Sequence, residues 1–205
     1  MRKTTLFIAA LIALPAALDA QASRYPSFQP TRIAEREYNF GLADFDGGTA
    51  LVAQWREGLG NPRLQFSGDV GIADGNGDSG LIIGGSLHYQ LTTASQDMPF
   101  DMVLGGGLGL TMFENSNLLR LPFGVAVGHR FPLEGNFAIS PFVHPRLSYD
   151  RVSVDGGGSA SETNLDLDIG ASFELNAQMQ IRLAATLGDG NAVGFSFAWT
   201  PRGLR

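Results

Sequence analysis

The chain has 205 residues, no cysteine, and 14 Lys plus Arg against 20 Asp plus Glu, a formal charge of −6. This excludes a disulfide framework and thiol chemistry, and an acidic chain is a poor candidate for nucleic acid. Past the N-terminus no stretch has the ~20 uninterrupted apolar residues of a membrane helix. Apolar residues nonetheless recur at every second position, which separates the chain from disordered compositions.

The first 22 residues read as a secretory signal. Arg2 and Lys3 form a positive start, Leu6 to Leu18 is an apolar run broken by Pro15, and Ala20-Gln21-Ala22 supplies a small-x-small cleavage site. Cleavage after Ala22 would leave 183 residues with 12 Arg, no Lys and 19 Asp plus Glu. Ser23 to Glu35 holds Pro26 and Pro30 and has no period; it is expected to be a periplasmic lead-in.

From there ten alternating segments follow, at 36–46, 49–58, 62–74, 80–93, 99–113, 117–131, 136–151, 162–175, 179–188 and 191–200. Turn residues separate them, among them Asp46-Gly47-Gly48, Gly60-Asn61-Pro62, Glu134-Gly135-Asn136 and Asp189-Gly190-Asn191. Lengths of about ten residues suit tilted membrane strands better than the ~5–6 of soluble sheets. In the third segment Leu64, Phe66, Val70 and Ile72 oppose Gln65, Ser67 and Asp69; in the eighth, Leu165, Leu167, Ile169 and Phe173 oppose Asp166, Asp168, Ser172 and Glu174. In the last, Val193, Phe195, Phe197 and Trp199 oppose Gly194, Ser196 and Ala198. Large residues outside and small or polar ones inside is the pattern of a narrow membrane barrel. The expected fold is all-β: a transmembrane up-and-down antiparallel barrel at 36–200, of ten strands, with eight as the other count considered. Residues 201–205 form a tail.

An even strand count places both ends of the barrel on one side, expected to be periplasmic. Tyr38, Phe66, Phe100 and Phe137 lie early in odd strands; Trp55, Tyr89, Phe131, Phe173 and Trp199 lie late in even ones. All nine therefore map to one end and one face, as an interfacial aromatic belt would. The other end is poorer in rings, with Tyr149 the clearest.

These residues resemble the small outer-membrane β-barrels of Gram-negative bacteria. Gly194, Phe197 and Trp199 stand where that family carries its C-terminal assembly signal, although Ala192 replaces the usual polar residue and a tail follows the terminal aromatic. The resemblance implies an outer-membrane location, and outer-membrane lipid and the barrel assembly machinery as partners. It does not select one activity, since such barrels include adhesins, stabilising proteins, narrow porins and some lipid-modifying enzymes.

The inward face is expected to carry a charge network of Arg56, Asp69, Arg120, Arg130, His144, Arg146, Asp166, Asp168, Glu174 and Arg182, with His88 beside it. In a barrel little wider than the eight-stranded size, opposite charges pair, so a salt-bridged plug is favoured over an open conduit. His144 and Ser148 share a face but lie about 13 Å apart along a strand, which disfavours a hydrolase site. His88 and His129 have no partners at zinc spacing. Gly75 to Gly80 matches G-x-G-x-x-G but leads into a strand, so the dinucleotide reading fails; the same loop lacks the sixth-position glycine and the glutamate of a calcium loop. Asp44, Asp46, Asp74, Asp78, Glu114, Asp150, Asp155, Glu162 and Asp189 gather at the outward ends. They suggest a rim for divalent cations, weighed against plain solubilising charge.

The sequence thus favours a non-enzymatic outer-membrane barrel, structural or a narrow porin-like solute path, without cofactor. The alternatives are a barrel enzyme acting on lipid or peptide and a soluble secreted barrel binding a small apolar ligand.

Overall fold

The computed structural model describes residues 25–45, 47–75, 78–188 and 190–201. The expected signal segment 1–22, Ser23 and Arg24 of the expected lead-in, most of the C-terminal tail, Asp46, Asn76, Gly77 and Asp189 lie outside them. The described residues form eleven strands and no helix: β1 (Arg36–Phe45), β2 (Gly48–Gly58), β3 (Leu64–Gly75), β4 (Asp78–Thr92), β5 (Asp101–Met112), β6 (Ser116–Gly128), β7 (Phe131–Pro132), β8 (Ala138–Val154), β9 (Ser159–Glu174), β10 (Met179–Leu187) and β11 (Ala192–Trp199).

Each long strand pairs with its neighbour in sequence, β1 pairs with β11, and β6 pairs with β8, which closes the sheet. The result is a ten-stranded antiparallel barrel, with β7 a two-residue addition on β8. The expected sixth strand, 117–131, stops at Gly128. Phe131 and Pro132 form β7 instead, pairing with Ile139 and Ala138.

Alternation sets the two faces. Leu42, Leu51, Ile72, Leu108, Phe123, Leu147 and Val193 are each more than half exposed and point outward. Asn39, Gln65, Asp168, Arg182 and Ser196 point inward and are fully buried. This is opposite to a soluble ligand-binding barrel, whose outside must be polar. An apolar band outside and polar groups inside is the arrangement that lipid stabilises, because the closed ladder lets strand backbone groups bond to one another and leaves no open sheet edge.

Two hairpin details depart from expectation. The stretch between the expected segments 136–151 and 162–175 is mostly strand: β8 and β9 stay paired out to Ser153 and Ser159. The remaining turn uses Gly156 with φ 71°, a left-handed conformation that glycine adopts without steric cost. Asp150, in β8, faces the lumen on the same side as His144 and Arg146 and is 3% exposed, so it is not part of an outer rim.

Candidate functional site: a lumen filled by the chain's own N-terminus

Residues 25–35 enter the barrel. Phe28, Gln29, Pro30 and Thr31 are buried, and Phe28 is only 1% exposed. An eight-stranded barrel is filled by its own side chains. Ten strands leave room for one extended segment, and this segment takes it. We call the end of the barrel where β1 starts and β11 finishes the terminal end, and the opposite end distal. From the terminal end inward, the Gly58 amide donates to the Glu35 carbonyl at 2.7 Å. Gln65 donates to the Ala34 carbonyl at 2.7 Å, and the Gln90 side chain accepts from the Ile33 amide and donates to the Thr31 carbonyl. Arg32 pairs with Asp101 at 2.9 Å.

Deeper in, the Phe28 ring packs with Phe142, Ala184 and Tyr25. It occupies space left by two glycines: a Cβ on Gly41 or Gly194 would lie 2.8 or 2.5 Å from the ring. Phe28 itself has φ 49°, a left-handed conformation that costs a non-glycine residue about 1–2 kcal/mol. Full burial of its ring, about 1.5–3 kcal/mol, is of the size needed to hold it there. Tyr25 reaches the distal half, where it meets the inward apolar cluster of Ala50, Val52, Ala73 and Ile82 together with Phe45 and Phe113.

The inward charges form three groups. In the first, Glu37 receives Arg182 through two bonds of 2.6 and 2.9 Å and also pairs with Arg56. Arg56 donates to the Phe28 carbonyl at 3.1 Å, which ties this group to the plug. In the second, Arg120 holds Asp150 in a two-pronged contact at 2.9 and 3.0 Å and touches Asp166 at 3.4 Å. In the third, Asp168 receives Arg146 at 3.0 Å and Thr186 at 2.8 Å. The Ser27 amide donates to Asp168 at 3.2 Å, and Arg146 donates to the Tyr25 carbonyl at 3.3 Å. Charges taken from water are kept charged only by pairing of this kind.

The sequence-derived network is thus distributed. Arg56, Arg120, His144, Arg146, Asp166, Asp168 and Arg182 lie buried in the lumen. Asp69 faces a cavity. Arg130 and Glu174 pair with each other at 2.7 Å, a third and a fifth exposed, near the terminal end. Sequence reasoning missed Glu37, Asp101 and the role of Asp150. The first was findable, since Glu37 and Arg56 are direct cross-strand partners in the β1–β2 hairpin.

His144 and Ser148 do not meet. Nδ1 of His144 lies 2.8 Å from Ser27 Oγ, whereas Ser148 Oγ donates to Asp166 at 3.4 Å. Asp168 approaches that same Nδ1 at 3.5 Å. Serine and carboxylate therefore share one ring nitrogen, and the imidazole has no geometry for relaying a proton between them. A second polar cluster joins Ser67, Ser86 and His88: Ser86 Oγ is 2.6 Å from Ser67 Oγ and 2.9 Å from His88 Nε2. Among the described residues no group of His, Cys, Asp or Glu is arranged to hold a metal.

The nine residues expected to form the belt lie toward the terminal end. Tyr38 stacks on Trp199 with ring centroids 5.7 Å apart, and Trp55 meets Phe66 edge-on at 6.3 Å. Tyr89 pairs in register with Leu64 at the start of β3. Phe100 directly precedes β5, Phe137 directly precedes β8, Phe131 opens β7, and Phe173 pairs with Ile139 and Ile181. The three positions expected from the resemblance to form an assembly signal split by face: Phe197 and Trp199 follow the outward parity, while Gly194 faces the lumen under Phe28.

The chain matches no family model and no curated protein. Solved structures similar to it include a bacterial polysaccharide outer membrane secretin, at 8% identity and TM-score 0.50, covering 83% of this chain and 67% of that one. KdgM porin is similar at 8% identity and TM-score 0.42, covering 81% and 99%. LpxR from Salmonella typhimurium is similar at 10% identity and TM-score 0.46, covering 82% and 85%. At these identities the likeness concerns architecture alone. In fold, the chain is a small β-barrel of the outer-membrane type.

Proposed function

We propose that this is a non-enzymatic protein of the outer membrane, exported by cleavage after Ala22, whose barrel is held shut by its own N-terminal segment. At rest it is a structural barrel. A narrow solute path exists only when residues 25–33 leave the lumen. The observation that carries this reading is the passage of 25–35 through the barrel, bonded to Arg56, Gln65, Gln90, Asp101, Arg146 and Asp168 on different strands. The non-enzymatic part is supported by the convergence of Ser27 and Asp168 on a single nitrogen of His144.

The apolar exterior makes outer-membrane lipid its solvent, and the β11 pattern makes the assembly machinery a partner. Planar-bilayer recording tests the closed state. The full chain is expected to show no steady current, and a variant lacking 25–33 is expected to open stable, ohmic channels. Equal conductance of the two would overturn the plug reading.

A further inference from the structure

The plug has a direction. Glu35 is bonded to Gly58 at the terminal end of the barrel. From there the chain climbs toward the distal end. Phe28 lies against Gly41 and Gly194, the Ser27 amide reaches Asp168, and the Tyr25 carbonyl reaches Arg146. The Tyr25 ring packs on the cluster that holds Ala50 and Ala73, close to the distal ends of β2 and β3. The chain before Tyr25 must therefore leave by the distal mouth or turn back inside the lumen. Space forbids the turn. The cavity beside the plug measures about 120 Å³. That is room for a few waters at ~30 Å³ each, and far too little for a second pass of chain.

The wall ahead of Tyr25 is acidic. Going distally, β8 and β9 present inward cross-strand pairs of His144 with Asp168, Arg146 with Asp166, Ser148 with Asn164 and Asp150 with Glu162. Successive inward pairs stand about 7 Å apart. Ser27 bonds to the first pair and Tyr25 to the second, so plug and wall advance in step, two plug residues to a pair. One further step brings residue 23 to the level of Ser148 and Asn164. An arginine side chain at 24 then has carboxylates within reach both below and above it. Asp150 and Asp166 are buried and share the guanidinium of Arg120. Glu162, joined to Asp150 through the Asn164 amide, makes this wall more negative still. Two buried carboxylates on one arginine favour a second cation.

We propose that the chain before Tyr25 leaves by the distal mouth, with the Arg24 side chain seated on the wall formed by Asp150, Asp166 and Glu162. The C-terminal tail leaves from the terminal end, where β11 finishes. The two ends of the protein then lie on opposite sides of the membrane, although the strand count is even. Anything joined to the N-terminus is presented on the distal side. The inference rests on the plug reading and goes beyond it, because a seated plug need not have its end held or exposed.

The chain has no native cysteine, so single thiols report sidedness. Ser23→Cys and Leu204→Cys are made separately in the full chain and treated with a bulky polymer-linked maleimide, in intact cells and after the outer membrane is permeabilised. One thiol is expected to react in intact cells and the other only after permeabilisation. Cross-linking of Ser27→Cys to His144→Cys reports separately whether the plug is seated. Both thiols reacting at the same stage, with the cross-link formed, would overturn the inference alone. With no cross-link the plug reading falls and the inference with it. The seat of Arg24 is tested by charge exchange, with intact mass checking that the N-terminus is unchanged. Arg24→Glu should speed chymotryptic cleavage at Tyr25 and Phe28 by at least about tenfold, and adding Glu162→Arg should restore most of the protection. Losses that simply add would overturn the seat. Should the double variant lose the heat-dependent gel mobility of a folded barrel, the single Arg24→Glu variant decides, and unchanged protection there would overturn the seat.

Discussion

The ring of Phe28 rests on Gly194: a Cβ at that glycine would stand 2.5 Å from Cζ of the ring. The two residues are far apart in sequence, and their contact joins the first described part of the chain to the strand that closes the barrel. Gly194→Val is therefore expected to expel the plug without opening the barrel, since overpacking of this kind costs about 1–3 kcal/mol at the contact. Limited proteolysis checks this. Cleavage within 25–35 should rise sharply, while heat-dependent gel mobility stays that of a folded barrel.

Phe28→Ala approaches the same seat from the other side. Removing a fully buried phenylalanine costs about 3–5 kcal/mol, and here the loss falls on plug docking. Thr31 provides a comparison, because its methyl fills the space over Gly128. Thr31→Ser should have a far smaller effect on protease protection of the segment than Phe28→Ala.

Glu37 holds two arginines, so its loss should exceed that of either arginine. Glu37→Gln leaves Arg56 and Arg182 buried with reduced compensation, a change of the class that costs about 3–5 kcal/mol. The variant is expected to unfold at clearly lower urea concentration. Adding Arg182→Met to it should recover part of the loss. An additive double variant would mean that the two groups do not act together.

Trp55 and Trp199 are the two tryptophans of the chain, and both lie toward the terminal end on the outward face, 46% and 42% exposed. In vesicles their fluorescence should be quenched more strongly by lipids brominated near the headgroup than by lipids brominated near the chain end. The reverse order would place the aromatic band at mid-membrane.

Much of this architecture is written in local pattern. Alternation such as Leu165-Asp166-Leu167-Asp168 assigns a face from neighbouring residues alone, because strand side chains alternate by geometry. The belt follows from the same parity, as Tyr38 and Trp199 meeting across β1 and β11 illustrates. The plug is different. Ser23 to Glu35 has no period, and what places Phe28 is a pair of glycines in β1 and β11 whose relation exists only once the barrel closes. Inward glycines at 41, 128 and 194 were a visible signal. Phe28 and Thr31 occupy the space they leave. Asp150 shows a second limit: it shares the inward parity of His144, Arg146 and Ser148, but an acid near a strand end reads as rim charge until Arg120 is seen paired across from it.

The central claim is that the N-terminal segment sits inside the folded barrel, and Ser27 and His144 report it most directly. Their side chains meet at 2.8 Å, and the chain has no native cysteine to compete. With Ser27→Cys and His144→Cys combined, a short bifunctional thiosulfonate should cross-link the two positions in isolated outer membranes, giving a compact species on gels that reductant reverses. A folded barrel that shows no cross-link, and in which the thiol introduced by Ser27→Cys reacts freely with a bulky water-soluble maleimide, would contradict the account.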